Sequence, residues 1–228
     1  MQVFFHQTYY YFFPLATNES IYANVGHVFF TSATLYVDEN ASHFMNDFGS
    51  YQVTEEIAQN RFPSVFNYKE NVVCFVDSSI TSYDYRNLQN MNQYRNDVNR
   101  AICSYTLASN GRTLVLFTSM EELNKSYEKV SPFFAAHDIL ALRQNGSSLE
   151  EIREFNHNEY SILFGVERFW SGVNFPGSTL SQVIITKIPN PNLNDPLIAH
   201  HRRHDASFMS AKYPIYGKLK LRQGFGRL

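Results

Sequence analysis

Two rhythms of apolar and polar positions run along this chain, and the switch between them marks out its elements. Across residues 90–109, Met91, Tyr94, Val98, Ile102 and Tyr105 recur at three- and four-residue steps, which predicts an amphipathic helix with one core-facing stripe. Asn110-Gly111 supplies its stop. Beyond it the rhythm changes to short unbroken apolar runs at 113–117, 139–144, 161–164 and 182–186, each bounded by polar or glycine-containing segments. Such runs predict strands covered on both faces. Residues 72–76 and 27–30 show the same pattern and are predicted as buried strands as well.

Capping residues place the helices between these runs. Thr118-Ser119-Met120 ends one strand and Glu121-Glu122 opens the next helix, while Ser148 and Glu151 form a capping box for a helix over 149–156. Asp195 caps a helix with Pro196 at its first position, and that helix carries His200, His201, Arg202, Arg203 and His204. A helix or turn over 18–26, a short helix over 40–48 and a polar loop over 77–84 complete the reading. Strands alternating with helices at this spacing predict an α/β fold: a parallel sheet with helices on both faces.

Length and charge narrow the function classes. With 228 residues the chain can bury a core as one large domain, or one domain plus a fragment. Its 19 basic and 21 acidic residues give a net charge of -2, so any nucleic-acid surface must be local. Cys74 and Cys103 sit in apolar surroundings without C-x-x-C spacing, which predicts buried, reduced thiols and a reducing compartment. The aromatic run Tyr9-Tyr10-Tyr11-Phe12-Phe13 lacks the flanks of a signal peptide and falls short of the roughly 20 apolar residues of a membrane helix. A cytoplasmic protein with no membrane partner is the expectation. The same aromatic density also suits a face that lies against a neighbour.

Candidate chemistry concentrates after the strand at 161–164. There the chain places the only tryptophan, Trp170, together with Gly172, Asn174, Pro176 and Gly177. Loops at strand ends are where open α/β sheets hold ligands. Gly172 lets a backbone approach a ligand and Asn174 can hydrogen-bond it, while Phe169 and Trp170 either stack a base or pack. Thr118 and Ser119, at another strand end, suit phosphate contacts or ordinary helix caps. His200 and His204 share a helical face but have neither an intervening glutamate nor an obvious third ligand, so a solvated basic face is favoured over zinc. The frame from Gly172 to Thr179 imitates a phosphate-binding P-loop, but Ser178 stands where a lysine must be.

Four stretches carry a family resemblance. Phe169-Trp170-Ser171-Gly172-Val173-Asn174-Phe175-Pro176-Gly177 resembles motif V of the DinG/XPD-like DNA helicases, usually Phe-Trp-Glu-Gly-Val-Asp-x-Pro-Gly. Leu221-Arg222-Gln223-Gly224-Phe225-Gly226-Arg227-Leu228 is similar to motif VI, Gln-x-x-Gly-Arg-hydrophobic-Ile-Arg. Leu116-Phe117-Thr118-Ser119-Met120 resembles motif IV, with Met120 replacing the usual aromatic, and Ser32-Ala33-Thr34-Leu35 resembles motif III. The order III to VI is the family's own.

The resemblance implies the second RecA-like (P-loop NTPase-type) lobe of an ATP-dependent DNA helicase. Residues 1–35 would be the end of the first motor lobe and 36–228 the second, truncated at motif VI. Arg227 would point into the cleft to stabilise charge on the transferred phosphoryl group with Gln223 beside it, the family motif's further arginine past Leu228 being the alternative finger, and Gly172, Asn174 and Gly226 would line the nucleotide. Ser32, Thr34, Thr118, Ser119 and Trp170 would touch single-stranded DNA. No Walker lysine or preceding acidic box occurs, so ATP and Mg2+ would be held mainly by the first lobe, the expected partner, and the isolated polypeptide would be inactive. Two isolated cysteines cannot carry the iron–sulfur cluster that relatives often hold, so none is expected. Ser171 and Asn174 replace two family carboxylates, which keeps open a degenerate or regulatory strand-binding module. Some relatives carry an added nuclease domain, yet no paired-carboxylate cluster suited to two metals appears here.

Overall fold

The computed structural model of the chain describes residues 26–32, 35–36, 41–47, 57–64, 67–146 and 149–227. In chain order its elements are α1 (Ser42–Asp47), α2 (Tyr68–Asn71), α3 (Leu88–Ala108), β1 (Thr113–Leu116), α4 (Met120–Ala135), β2 (Leu140–Arg143), α5 (Leu149–His157), β3 (Ser161–Gly165), β4 (Gln182–Ile185), α6 (Pro196–His204) and α7 (Tyr213–Phe225). They fall into two compact units: Met1–Val65 with Asn190–Leu219, and Phe66–Pro189 with Lys220–Leu228.

The second unit is a four-stranded, wholly parallel sheet of order β2-β3-β1-β4. Val115 pairs in register with Phe164 on one side and Ile184 on the other, so β1 is central. Every residue of β1 and β3 is buried, as unbroken apolar runs require when both faces are covered. Alternate side chains feed two cores. Val115, Phe117, Ile162 and Phe164 join Tyr94, Val98 and Ile102 of α3 and Leu123, Val130 and Phe134 of α4. Leu114, Leu116 and Leu163 turn the other way, to Phe155 of α5 and to Phe169, Trp170 and Phe175 beyond β3. Helices cover both faces, the expected RecA-like α/β arrangement.

The helix termini follow the capping residues. Ser119 accepts from the backbone N–H of Glu122 at 3.3 Å, and Asp195 accepts from that of Ile198 at 3.4 Å. Gly111, at φ +84°, makes the turn into β1, and a Cβ there would lie 2.7 Å from the backbone nitrogen of Ser161. The first unit is built on aromatics around α6 and α7: Phe208 is fully buried, stacked on His201 with ring centroids 5.3 Å apart. Among the described residues no helix is long and apolar enough to cross a membrane.

Two predicted strands are absent. Residues 72–76 form no strand, with Val73 93%, Phe75 72% and Val76 82% exposed. An apolar run signals an affinity for burial, but a strand also needs a neighbour for its N–H and C=O groups. Residues 27–30 likewise form no strand, and Phe29 is exposed. Cys74 shares the exposure of its segment, contrary to the buried thiol expected, whereas Cys103 is half-buried on α3 and its thiol is pushed up to about 11 by burial. Ser148, Thr34 and the expected helix or turn before Gly26 lie outside the described residues, so the capping box with Glu151 does too.

Candidate functional site

The loops that leave the carboxyl ends of the four strands converge on one edge of the sheet. At the end of β3, Gly165 is demanded by packing, since a Cβ there would lie 2.4 Å from the ring of Phe169. The next residue, Val166, donates its N–H to Gln144 Oε1 at 2.8 Å, which ties the loop to the end of β2. Glu167, at φ +26°, then opens a short 3-10 turn, Glu167–Phe169. A non-glycine residue in that region stores strain that the surrounding packing must hold.

Three aromatics anchor the loop beyond this turn. Phe169 is fully buried and Trp170 is 1% exposed, its indole N–H donating to the carbonyl of Phe117 at 2.9 Å. Phe175 packs edge-on against Phe155 with centroids 5.3 Å apart. With the anchors inward, Gly172 (φ +83°) and Asn174 face outward, and no atom lies within 4 Å of where a Cβ on Gly172 would sit. Trp170 has no face left for a base: its expected strand contact gives way to the packing alternative.

The chain's last described turn completes the edge. Gly224 is buried, and a Cβ on it would lie 3.0 Å from Trp170 Cζ3 and 3.2 Å from Ile185 Cδ1. This close approach lets Arg227 reach across, Nε donating to the carbonyl of Trp170 at 3.2 Å and Nη1 to that of Val173 at 2.5 Å. Burial lowers the Arg227 pKa, yet an arginine stays charged under any physiological condition. Gln223 is half-buried on the final turn of α7, and Gly226 is exposed beyond it. Motifs V and VI therefore form one piece.

At the end of β1, Thr118 is half-buried and Ser119 is exposed while capping α4. The first turn of that helix already holds carboxylates: Glu121 pairs with Lys125, and Glu122 with Arg95. At the end of β4, the Thr186 carbonyl accepts from the Tyr94 hydroxyl at 3.0 Å, and burial pushes that phenol up to about 12. Ser32 is exposed and belongs to the first unit, and Thr34 lies outside the described residues. The ring centroids of His200 and His204 are 4.4 Å apart, but among the described residues no group of three His, Cys, Asp or Glu could hold a metal. Sequence reasoning read Tyr94 only as a core position and missed its bond to Thr186, the Gln144 contact and the carbonyl contacts of Arg227, all of which depend on pairings distant in the chain.

Residues 102–228, from the middle of α3 onward, match the helicase C-terminal domain family. The chain belongs to that family. It is also similar to the protein named 3'-5' exonuclease DinG of Bacillus subtilis (strain 168), 28% identical over 221 residues that make up 92% of this chain and 23% of that protein. The proteins of the same name from Staphylococcus aureus strains USA300 and N315 are 28% identical over 164 residues, 70% of this chain and 18% of theirs. The chain thus spans less than a quarter of the length of these relatives. The match takes in β1 through α7, and with them the paired motifs V and VI of this helicase C-terminal domain.

Proposed function

We propose that this helicase C-terminal domain is the second motor lobe of an ATP-dependent DNA helicase of DinG type, which couples ATP hydrolysis to movement on single-stranded DNA and duplex unwinding in the cytoplasm. On this reading residues 1–35 close the first lobe and 36–228 form the second. The observation that carries it is the bonding of Arg227 to the carbonyls of Trp170 and Val173, which makes motifs V and VI one body at the carboxyl edge of a parallel sheet.

The chemistry rests on the donors that Arg227 has left. A guanidinium carries five N–H donors, and two are spent on carbonyls. The others remain to stabilise charge developing on a transferred phosphoryl group, with Gln223 as a polar contact and Gly172, Asn174 and Gly226 along the nucleotide. Thr118 and Ser119 contact the strand backbone, joined by Ser32 and Thr34; Trp170 supports the loop from beneath. The magnesium that accompanies ATP is assigned to the first lobe, the partner that also grips the triphosphate, as the family resemblance implies.

The test uses a polypeptide carrying both lobes. Arg227→Ala lowers strand-stimulated ATP turnover by about 10^3-fold or more, the usual worth of such a finger, and leaves strand affinity nearly unchanged. The opposite pattern, ATP turnover intact and strand affinity altered, supports a regulatory strand-binding module. That second reading draws on Ser171 and Asn174 standing where the family places carboxylates.

A further inference from the structure

A cavity of about 420 Å³ opens between α3 and α4 beside Thr118. Its size lies within the range of small-ligand pockets. Four cations line it, Arg95, Lys125, Lys129 and Lys187, against one carboxylate, Glu122. That carboxylate is already committed: Arg95 donates to it from Nε at 3.0 Å and from Nη2 at 2.6 Å. Lys125 is paired with Glu121. Lys187 and Lys129 are the cations left over.

Lys187 is the more telling of the two. It is half-buried, its ammonium lies 3.9 Å over the ring of Tyr83, and it has no ion pair or hydrogen bond among the described residues. Burial lowers its pKa, so the fold bears a cost for keeping this charge indoors. The Glu122 carboxylate offsets that cost only in part, being doubly hydrogen-bonded to Arg95, and a partly desolvated cation with no ion pair of its own is stabilised by an incoming anion. The Tyr94 hydroxyl adds no competing anion, since it keeps its proton and donates to the Thr186 carbonyl, and the Glu122 carboxylate is held by Arg95.

We infer that this cavity is a phosphate-binding pocket in which Lys187, with Lys129 at the rim and the Thr118 hydroxyl beside it, takes a phosphate-bearing ligand. The favoured source is a phosphodiester of the bound strand, which rests on the function proposed above; a free nucleotide presents the same chemistry. Lys187 follows β4, outside motifs IV, V and VI.

The experiment compares the unaltered full chain with Lys187→Met, Lys187→Arg and Lys129→Met, titrated with a short oligothymidylate and with thymidine 5'-monophosphate. Circular dichroism checks the fold. Lys187→Met is expected to weaken oligothymidylate binding about 5-fold and reduce the salt slope by about 0.7, the loss of one phosphate contact on a single strand. Lys187→Arg keeps the slope, and Lys129→Met lowers it even should Lys187→Met fail to fold. If the unaltered chain binds only the mononucleotide and Lys187→Met abolishes that, the pocket stands and the helicase reading falls. If the strand binds every variant equally with one salt slope, the pocket is overturned and the helicase reading survives. If neither probe binds, both fall.

Discussion

Arg227 and Val173 meet at 2.5 Å, Nη1 to carbonyl, across 54 residues of chain. Together with the bond from Nε to the Trp170 carbonyl, this lets one planar cation fix both ends of a short loop segment. A lysine has a single ammonium on a flexible stem and cannot span the two acceptors in the same way. Arg227→Lys is therefore expected to loosen residues 171–176 while the sheet beneath stays intact. Hydrogen exchange would show faster amide exchange in that loop by roughly tenfold, about 1.4 kcal/mol of local opening. Unchanged protection would mean that the loop is held by its aromatic anchors alone.

Trp170 is the largest of those anchors, buried with its N–H committed to the Phe117 carbonyl. Trp170→Phe removes ring volume and leaves that carbonyl without its indole donor. Lost packing and a lost buried hydrogen bond together cost about 2–3 kcal/mol. Urea unfolding followed by circular dichroism should show the midpoint fall. A variant as stable as the parent would mean that the ring does not pack as described.

Gly224 sets two effects against each other. In a helix, Gly→Ala gains about 1 kcal/mol from propensity. Here the new Cβ would press on Trp170 Cζ3 at 3.0 Å, Cε3 at 3.1 Å and Ile185 Cδ1 at 3.2 Å, and the indole is pinned by its hydrogen bond. Overpacking of a site that cannot relax costs about 1–3 kcal/mol. Packing wins, and Gly224→Ala should lower stability by about 1 kcal/mol in the same assay. A stabilised variant would show that the indole yields.

The sequence disclosed what local rules govern. The stripe Met91, Tyr94, Val98 and Ile102 predicted α3, the caps at Ser119 and Asp195 began their helices, and the four apolar runs from 113 to 186 became the sheet. Residues 72–76 misled because hydrophobicity reports a preference for burial, while pairing depends on whether another strand is adjacent. The pattern around Trp170 favoured packing but left stacking open, and its burial, its bond to the Phe117 carbonyl and the close approach of Gly224 decide for packing. That β1 lies between β3 and β4 is a matter of crossovers, which no run of residues encodes. The bonds from Arg227 to the motif V carbonyls were out of reach for the same reason: backbone acceptors leave no mark on side-chain identity.

Acid should release the loop that carries Tyr83. Asp97, 3% exposed on α3, accepts from the Thr81 hydroxyl at 2.6 Å, the Thr81 N–H at 3.1 Å, Gln93 at 3.0 Å and Arg100 at 3.0 Å. These hydrogen bonds, the Thr81 hydroxyl foremost, hold its carboxyl below the usual carboxylate range. Asp77 is lowered in the same way, by the Ser79 hydroxyl first and then by Tyr105. A carboxyl with a folded pKa below its unfolded value of about 3.9 contributes stability above that value and loses it as pH falls through the folded pKa. Melting temperature should therefore drop steeply below about pH 4, and Asp97→Asn, which has no carboxylate to titrate, should show a shallower drop from a lower starting point. Parallel melting curves for the two proteins between pH 5 and pH 2 would show that Asp97 does not clamp the loop. The Tyr83 ring underlies Lys187, so its release should expose that ammonium over the same pH range, read as loss of the Tyr83–Lys187 contact by NMR.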